Sequence, residues 1–386
     1  MMPFLIASLS CGIWIYLLAA RGGFWRAAQR DDAIAIQPSD AVDWPRVVAV
    51  VPARDEGTVI RESIESLLRQ DYRGDFAVIV VDDHSHDDTA AVARNAAAGA
   101  SDRVIVLDAP DLPEGWTGKL WALHHGVSHA LALPQPPDYL WLTDADIRHA
   151  VDTLTELVRR ATRERLVLTS LMAKLNCETL AERALVPAFV FFFQMLYPFA
   201  WVNRAQRPTA AAAGGCMLVH RRSLQAAAGI DAIRGELIDD CALARRLKKY
   251  GPIWLGLSER VRSARVYASI DEIRHMVVRT AYAQLRFSPW SLAWATAAMA
   301  VTFLAPPLLT LLGTGVPQLF GALAWAQMAL AFQPTLNFYR VSRWWGLALP
   351  AIAGVYVLFT LDSAYQFMRG RGGEWKGRVH WPMPGR

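Results

Sequence analysis

The stretch DYLWLTDADI, residues 138–147, is apolar until it reaches two carboxylates, Asp144 and Asp146. In an extended chain, residues i and i+2 point to the same face, so both carboxylates can converge on one ligand. We expect that ligand to be a cation. The alternative is that both are turn or helix-cap residues, which aspartate favours where a strand passes into a helix.

The chain on either side of this stretch alternates short apolar runs with helical patterns. Strands are predicted at residues 47–51, 76–81, 104–107, 139–143 and 166–171. Such alternation is typical of an α/β domain with a mostly parallel sheet. Ligands of such sheets bind beyond the carboxyl ends of the strands, so we expect a functional site there.

Acidic residues follow three of the predicted strands. Asp55 and Glu56 follow the first, Asp83 follows the second, and Asp144 and Asp146 follow the fourth. Carboxylates at one edge of a sheet repel each other unless a cation or hydrogen-bond donors lie among them. The pattern therefore favours a cation-containing site over three unrelated turns.

A second motif, Gly115–Lys119, precedes a helical pattern over residues 119–132. Glycines and a lysine at a helix N-terminus favour a bound anion. The spacing is not that of a P-loop, and an ordinary glycine turn is an equal alternative. His125 and His129 are four residues apart on this helix, but without further ligands we interpret them as surface or core residues.

Apolar sequence is concentrated at the two ends of the chain. Residues 1–30 are predicted to form an N-terminal membrane anchor, because Met1–Ala20 is uncharged and long enough to span a bilayer. Positive charge follows this run and does not precede it, which argues against a cleaved signal peptide. The arginines that follow predict a cytoplasmic flank.

Residues 288–368 are predicted to form a C-terminal transmembrane region. No charged residue occurs from Ser288 to Tyr339, a run divided at Gly313–Pro317, and a further apolar segment covers residues 344–361. Three complete spans would place the basic tail, residues 369–386, outside the cell against the positive-inside tendency, so two to three spans are predicted. The net charge of +5 suits anionic lipid head groups, and no motif for nucleic acid occurs.

The run ALVPAFVFFFQMLYPFAWV, residues 184–202, is also long enough to span a membrane. If it did, Asp146 and Asp240 would lie on opposite sides of the bilayer and could not share a site. We therefore predict a helix at the membrane interface or in the protein interior, bent or ended by Pro187 and Pro198, where a lipid could enter. An ordinary core helix is the alternative.

Five short motifs occur in a fixed order: PARDE at 52–56, DD at 82–83, DAD at 144–146, GG at 214–215 and DD at 239–240. Together they resemble the family 2 inverting glycosyltransferases, whose GT-A fold is a Rossmann-like nucleotide-sugar domain. The membrane arrangement and the form LPEGWTGKLWAL, residues 112–123, are most similar to the hopanoid-biosynthesis-associated glycosyltransferases, relatives of ceramide glucosyltransferase. The resemblance implies a GT-A domain over residues 31–287.

The resemblance also implies roles for particular residues. The metal ligand is Asp146, assisted by Asp144, and oxygen ligands beside a diphosphate suit Mg²⁺ or Mn²⁺. The general base is Asp240, with Asp239 in place of the family's glutamate; mere helix capping is the alternative. The donor-binding residues are Ala53, Asp55, Glu56, Asp83, Lys119, Asp144, Gln284 and Arg286, and Gly214 and Gly215 lie on the acceptor side. The Gln284–Phe287 stretch is a shortened form of the family's Gln-x-x-Arg-Trp.

The predicted function is transfer of a sugar from a nucleotide donor, a UDP-sugar, to a lipid acceptor such as a hopanoid. The predicted location is the inner membrane, with the catalytic domain facing the cytoplasm. Two alternatives are a processive polysaccharide synthase and a catalytically silent membrane scaffold that binds nucleotide sugar. The second alternative rests on Asp239 and on the shortened Gln284–Phe287 motif.

Overall fold

A computed structural model of the chain describes residues 1–31, 44–99, 102–373 and 376. The start of the predicted 31–287 domain and most of the predicted basic tail, 369–386, therefore lie outside the described residues. The chain forms two compact units. The first contains Met1–Ala28, Cys177–Ala200 and Tyr267–Glu374; the second contains Gln29–Asn176, Trp201–Val266 and, after the last helix, Lys376.

The second unit is built on one eight-stranded sheet. Its strands are β1 (Val47–Ala53), β2 (Phe76–Asp82), β3 (Val104–Asp108), β4 (Tyr139–Leu142), β5 (Ile147–His149), β6 (Leu168–Lys174), β7 (Met217–His220) and β8 (Ile253–Ser263). The strand order is β3-β2-β1-β4-β7-β6-β8-β5. Only β5 and β7 run antiparallel to the others. This confirms the predicted mostly parallel α/β fold.

The centre of this sheet is covered on both faces. Every residue of β1 is buried, which explains its uninterrupted apolar sequence. The helix over Gly118–Leu131 packs closely against it: a Cβ atom at Gly126 would lie only 2.5 Å from a methyl group of Val50. The glycine therefore permits the close approach that fixes this helix, and with it the motif at its N-terminus, against the sheet.

The helices of the chain, in order, are α1 (Met2–Ala19), α2 (Ile60–Leu68), α3 (Thr89–Ala96), α4 (Gly118–Leu131), α5 (Thr153–Arg163), α6 (Leu180–Leu196), α7 (Phe199–Val202), α8 (Arg221–Ala226), α9 (Asp239–Leu247), α10 (Ile270–Gln284), α11 (Pro289–Met299), α12 (Ala305–Leu312), α13 (Val316–Tyr339) and α14 (Trp345–Met368). A single π-helical segment, Ala300–Leu304, joins α11 to α12. The turn predicted at Gly313–Pro317 separates α12 from α13.

The first unit is a bundle of apolar helices. Four segments of the described chain are long and apolar enough to cross a membrane: Met2–Ala19, Leu180–Val202, Pro289–Leu312 and Trp345–Met368. Helix α13 has the same length as α14 but carries several amide side chains and is not among the four. Aromatic contacts hold the bundle together, with Phe192 packing edge-on against both Phe303 and Tyr356.

Helix α6 joins two strands of the same sheet. Strand β6 precedes it, β7 follows it, and the two strands are hydrogen-bonded to each other. The segments on either side of α6 therefore cannot lie on opposite sides of a bilayer, although α6 is long enough to span one. Pro187 lies inside α6 and does not end it, whereas Pro198 follows the end of the helix.

The boundaries between the two units differ from the domain boundaries that the sequence predicts. Helices α6 and α10 belong to the unit of apolar helices, whereas the sequence places both within residues 31–287. The physical reason is that the sequence locates a boundary by a change in composition. Contacts instead group α10 with α14, partly through the Arg274–Asp362 ion pair.

Candidate active site

The predicted site lies at the carboxyl edge of the sheet. Asp144 and Asp146 occupy the short connection between β4 and β5, not a junction between a strand and a helix. Each carboxylate has a basic partner, Lys119 for Asp144 and Arg265 for Asp146. The two aspartates therefore act as acceptors for cations and not as helix caps.

Lys119 joins the DAD motif to the second aspartate pair. Its Nζ atom lies 2.9 Å from Asp144 Oδ1 and 3.3 Å from Asp239 Oδ2. It is the second residue of α4, whose N-terminus is capped by the Thr117 hydroxyl. Burial lowers the pKa of Lys119, but the carboxylates of Asp144 and Asp239 outweigh it and raise the pKa above its ordinary value. Lys119 is therefore a fixed cation that holds two acidic motifs together.

Asp240 is held by backbone donors beside this lysine. Its Oδ2 atom accepts a hydrogen bond from the Gly214 N–H at 3.0 Å, and its Oδ1 atom accepts one from the Cys241 N–H at 2.6 Å. Burial, and then the neighbouring Asp239 carboxylate, raise the pKa of Asp240 to about 6 against the opposing charge of Lys119. A carboxylate with a pKa this near neutrality suits a general base.

The aspartate pair at 239–240 is not a helix cap. Helix α9 begins at Asp239, its N-cap is Ile238, and no side chain caps it. Both acids lie in the first turn, where the helix dipole favours negative charge. Asp240 accepts from the Cys241 N–H of that turn, but the pair also contacts Lys119 and the Gly214 N–H outside the helix, so it faces the site.

A second cluster surrounds Asp146. The Arg265 Nε atom lies 2.9 Å from Asp146 Oδ2, and its Nη2 atom lies 2.7 Å from Glu56 Oε2. Glu56 also pairs with Lys376, at 3.0 Å between Nζ and Oε1. Burial raises the pKa of Glu56 despite these two cations. Two carboxylates and two basic side chains therefore form a compact, neutral group.

The predicted nucleoside residues lie at the ends of β1 and β2. Ala53 ends β1 and is paired in register with Asp82 at the end of β2. Asp55 adopts a left-handed backbone conformation, with φ of 50°, and its Oδ1 atom accepts a hydrogen bond from the His86 N–H at 2.7 Å. Asp83 is fully buried. Strand pairing and hydrogen bonds within the protein therefore hold the first-strand motif in place.

Lys376 lies directly over this first-strand motif. Its Nζ atom donates to the Asp55 carbonyl at 2.9 Å, and its own carbonyl accepts a hydrogen bond from Arg54 at 3.1 Å. The described part of the C-terminal tail therefore contacts the predicted donor site. No feature of the tail sequence other than its basic character pointed to this contact.

The two predicted glycines lie at the site, whereas Gln284 and Arg286 belong to the other unit. Gly214 contacts Asp240, and the Gly215 carbonyl accepts a hydrogen bond from Thr143, so both glycines lie at the site. Gln284 belongs to the other unit, where its side-chain amide is hydrogen-bonded to the Tyr197 hydroxyl. Arg286 follows α10 in that unit with an exposed side chain.

Two carboxylates of the site could hold a divalent cation. Within the described chain, no group of three or more histidine, cysteine or acidic residues could hold a metal by itself. Mg²⁺ and similar ions are, however, commonly held by one or two carboxylates together with substrate phosphates. Asp146, with Asp144 beside it, supplies that number of hard oxygen ligands, so the residues fit such an ion.

Arg265 and an aromatic cluster were missed in the sequence. Arg265 lies just after β8, a strand that was not predicted, so nothing indicated that it would reach the DAD motif. Trp116 and Trp121 pack at 5.1 Å between ring centroids beside the Gly115–Lys119 motif, and His124 stacks on Trp121. The short spacing of these three aromatic residues in the sequence could have indicated that their rings pack together.

Comparisons with known proteins relate the chain to glycosyltransferases. The family described as "Glycosyl transferase family 2" matches residues 48–227, a range that runs from β1 to β7 of the sheet. A 4,4'-diaponeurosporenoate glycosyltransferase of Staphylococcus aureus is 36% identical over 110 residues. That match covers 27% of this chain and 26% of the relative, so the chain spans about a quarter of the length of the curated relatives it matches.

A solved structure supports the fold. The mannosyltransferase PcManGT from Pyrobaculum calidifontis, in complex with GDP-Man and Mn²⁺, aligns with a TM-score of 0.53 at 21% identity. The alignment covers 90% of this chain and 98% of that one. The sheet of the second unit is thus a GT-A-like sheet, as predicted.

Proposed function

We propose that this chain is a membrane-bound inverting glycosyltransferase of family 2. It transfers a sugar from a nucleoside-diphosphate sugar, a UDP-sugar, to a lipid acceptor. The observation that carries the proposal is the Lys119 bridge, which joins Asp144 of the DAD motif to the Asp239–Asp240 pair. Sugar transfer needs the donor to be bound and the attacking hydroxyl to lose its proton beside the same anomeric carbon, so the two motifs must lie close together.

The proposed chemistry divides between the two acidic motifs. Asp240 accepts the proton of the acceptor hydroxyl as that oxygen forms its bond to the anomeric carbon, and the nucleoside diphosphate leaves from the opposite face with its bonding electron pair. A divalent ion, Mg²⁺ or Mn²⁺, held by Asp146 with Asp144, would supply Lewis-acid stabilisation of the leaving diphosphate. Lys119 keeps Asp144 and Asp239 in place during this step.

The donor nucleoside is assigned to the ends of β1 and β2. Ala53, Asp55, Glu56 and Asp83 are the proposed contacts, and Gln284 and Arg286 are proposed to reach the diphosphate. Arginine suits that role because its planar guanidinium binds phosphate oxygens in pairs. The exposed side chain of Arg286 supports this part of the proposal.

A lipid acceptor is supported by the amount of apolar helix around the domain. Four segments are long and apolar enough to cross a membrane, and one of them, Leu180–Val202, lies in the chain between the DAD motif and Asp240. The S. aureus relative is named for a diaponeurosporenoate acceptor. A hopanoid acceptor in the inner membrane, with the site facing the cytoplasm, rests on the family resemblance and on the arginines after α1.

Mass spectrometry of total lipids from cells with and without the protein tests this proposal. We expect one class of glycosylated lipid to disappear when the gene is deleted and to return with the wild-type chain but not with Asp240→Asn. An unchanged lipid profile would contradict a lipid acceptor. A long polysaccharide made by the purified protein would favour a processive synthase, and lipid product from Asp240→Asn would contradict the assigned base.

A further inference from the structure

Arg265 is fixed at its backbone but has a partly exposed side chain. The backbone N–H of Arg265 donates to Ser263 Oγ at 3.1 Å, and its carbonyl accepts a hydrogen bond from the Asn176 amide at 2.8 Å. The preceding N–H, of Ala264, donates to the Asp146 carbonyl at 2.7 Å. The residue is therefore held beside the DAD motif whatever its guanidinium contacts.

The guanidinium lies where a cation bound by Asp146 would have to compete with it. Its Nε atom lies 2.9 Å from Asp146 Oδ2. Its Nη2 atom lies 2.9 Å from Glu56 Oε1 and 2.7 Å from Glu56 Oε2. The side chains of Glu56 and Asp146 are only 12% and 20% exposed, whereas that of Arg265 is 34% exposed. The guanidinium is thus the more accessible partner of two largely buried carboxylates.

The charges of this group are balanced before any ligand binds. Glu56 and Asp146 carry two negative charges, and Arg265 and Lys376 carry two positive charges. A divalent ion arriving alone would meet a neutralised carboxylate and a like-charged guanidinium, which opposes its binding. A diphosphate arriving with the ion supplies the anionic oxygens that a guanidinium binds best. Lys376 could then remain as the partner of Glu56.

We propose that Arg265 is an exchangeable counter-ion of Asp146, which transfers from that carboxylate to the donor diphosphate and so makes the divalent ion and the nucleotide bind cooperatively. This inference rests on the proposed function, since it assumes a nucleoside-diphosphate donor. It assigns Arg265 as a positioning and donor-binding residue. By linkage, the nucleotide must tighten ion binding by the same factor by which the ion tightens nucleotide binding.

The test measures Mn²⁺ binding to the purified full-length protein in detergent, from the electron paramagnetic resonance signal of the free ion, with and without UDP. In the wild type we expect UDP to tighten Mn²⁺ binding on the order of tenfold or more. In Arg265→Gln we expect Mn²⁺ alone to bind several times more tightly than to the wild type, roughly threefold or more, with the effect of UDP reduced by the same factor.

Two further variants separate charge from structure. Arg265→Lys keeps the charge, so Mn²⁺ alone should bind as weakly as to the wild type. Arg262→Gln removes an exposed arginine of β8 whose Nε donates to the Glu259 carbonyl, and should leave both affinities unchanged.

The outcomes distinguish this inference from the proposed function. If Arg265→Gln binds Mn²⁺ alone no more tightly than the wild type, or more weakly, Arg265 is a structural partner of Asp146 and the inference is overturned. If UDP tightens Mn²⁺ binding equally in both proteins, the exchange does not occur. If the wild type binds no UDP in the presence of Mn²⁺ and GDP also fails, the proposed function is overturned as well.

Discussion

At the scale of single residues, Asp240 differs from the other acids of the site because two backbone N–H groups orient its side chain, whereas the others form ion pairs. Asp144 and Asp239 each pair with Lys119, and Asp146 pairs with Arg265. Asp240 instead accepts from two backbone N–H groups and lies beside a like charge. A carboxylate that is oriented but not ion-paired can take up a proton, which supports its assignment as the base.

The raised pKa of Asp240 predicts how transfer depends on pH. The base is active when ionised. The value of kcat/KM should therefore fall as the pH is lowered through about 6, the pKa of Asp240, and should level off at higher pH. Asp240→Asn should lower the rate by about 10²–10⁴-fold and remove this acid limb. The measurement is a pH profile of initial rates with saturating metal.

Asp231→Asn provides the matched control for that profile. Asp231 is an exposed acid whose partner is His124, and its loss should leave both the rate and the acid limb unchanged. An acid limb near pH 6 that persists at undiminished rate in Asp240→Asn would show that another group is the base.

The sequence predicted most of the charged residues that the structure brings together. Asp144, Asp146, Asp239, Asp240 and Lys119 were all identified, because acids after strands and a lysine at a helix start are local patterns. Their pairing was not predicted, since it depends on how α4 and α9 meet. Arg265 was missed for the same reason, because its role depends on a contact across more than a hundred residues of chain.

At the scale of elements, buried parallel strands were the most predictable feature. All five predicted strands are present, and β1, β2 and β4 carry the uninterrupted apolar runs expected of a sheet covered on both faces. The strands that were missed are β5, β7 and β8. The first two have three and four residues, too few for a periodic pattern, and β8 passes from apolar to charged sequence along its length.

Helix α6 begins with a capping box that we expect to determine its stability. The buried Glu182 carboxylate accepts hydrogen bonds from the N–H groups of Glu178, Thr179 and Tyr267, at 2.7 to 3.0 Å. Glu182→Ala leaves three backbone donors without this partner, so thermal unfolding in detergent should occur on the order of 5 °C lower.

Glu178→Ala is the control for this helix start. Its exposed side chain makes no hydrogen bond to the capping box, and only its backbone N–H takes part, which alanine retains. The unfolding temperature should therefore stay close to that of the wild type. Equal losses in the two variants would indicate that the helix end is held by something other than the Glu182 carboxylate.

At the scale of the whole molecule, the path of the chain constrains how it can cross a membrane. The pairing of β6 with β7 places both ends of α6 on one side, which composition alone could not decide. The contact of Lys376 with Glu56 returns the chain after α14 to the unit that contains the sheet. An even number of crossings after the domain is therefore expected, and two of the C-terminal segments have the length and composition to cross.

This arrangement predicts that the C-terminus and the catalytic unit are accessible from the same side. A protease-cleavable tag placed after Arg386 and one inserted in the exposed turn at residues 134–136 should both be cleaved in inverted membrane vesicles. A tag before Met1 serves as the control and should be protected there, since α1 separates it from the domain. Protection of the C-terminal tag alone would mean an odd number of C-terminal spans.

Transfer of label to the organic phase tests whether Asp146 and a divalent ion serve sugar transfer to a lipid. Purified full-length protein is incubated with a radiolabelled UDP-sugar, a bacterial lipid extract and Mn²⁺, and lipids are extracted into chloroform. The wild type should produce an organic-soluble labelled lipid that chelation of the metal abolishes. Asp146→Asn, with an unfolding temperature near that of the wild type, should lose at least about a hundredfold in rate. Undiminished labelling by Asp146→Asn, or by the wild type after chelation, would contradict a metal-binding role of Asp146 in sugar transfer.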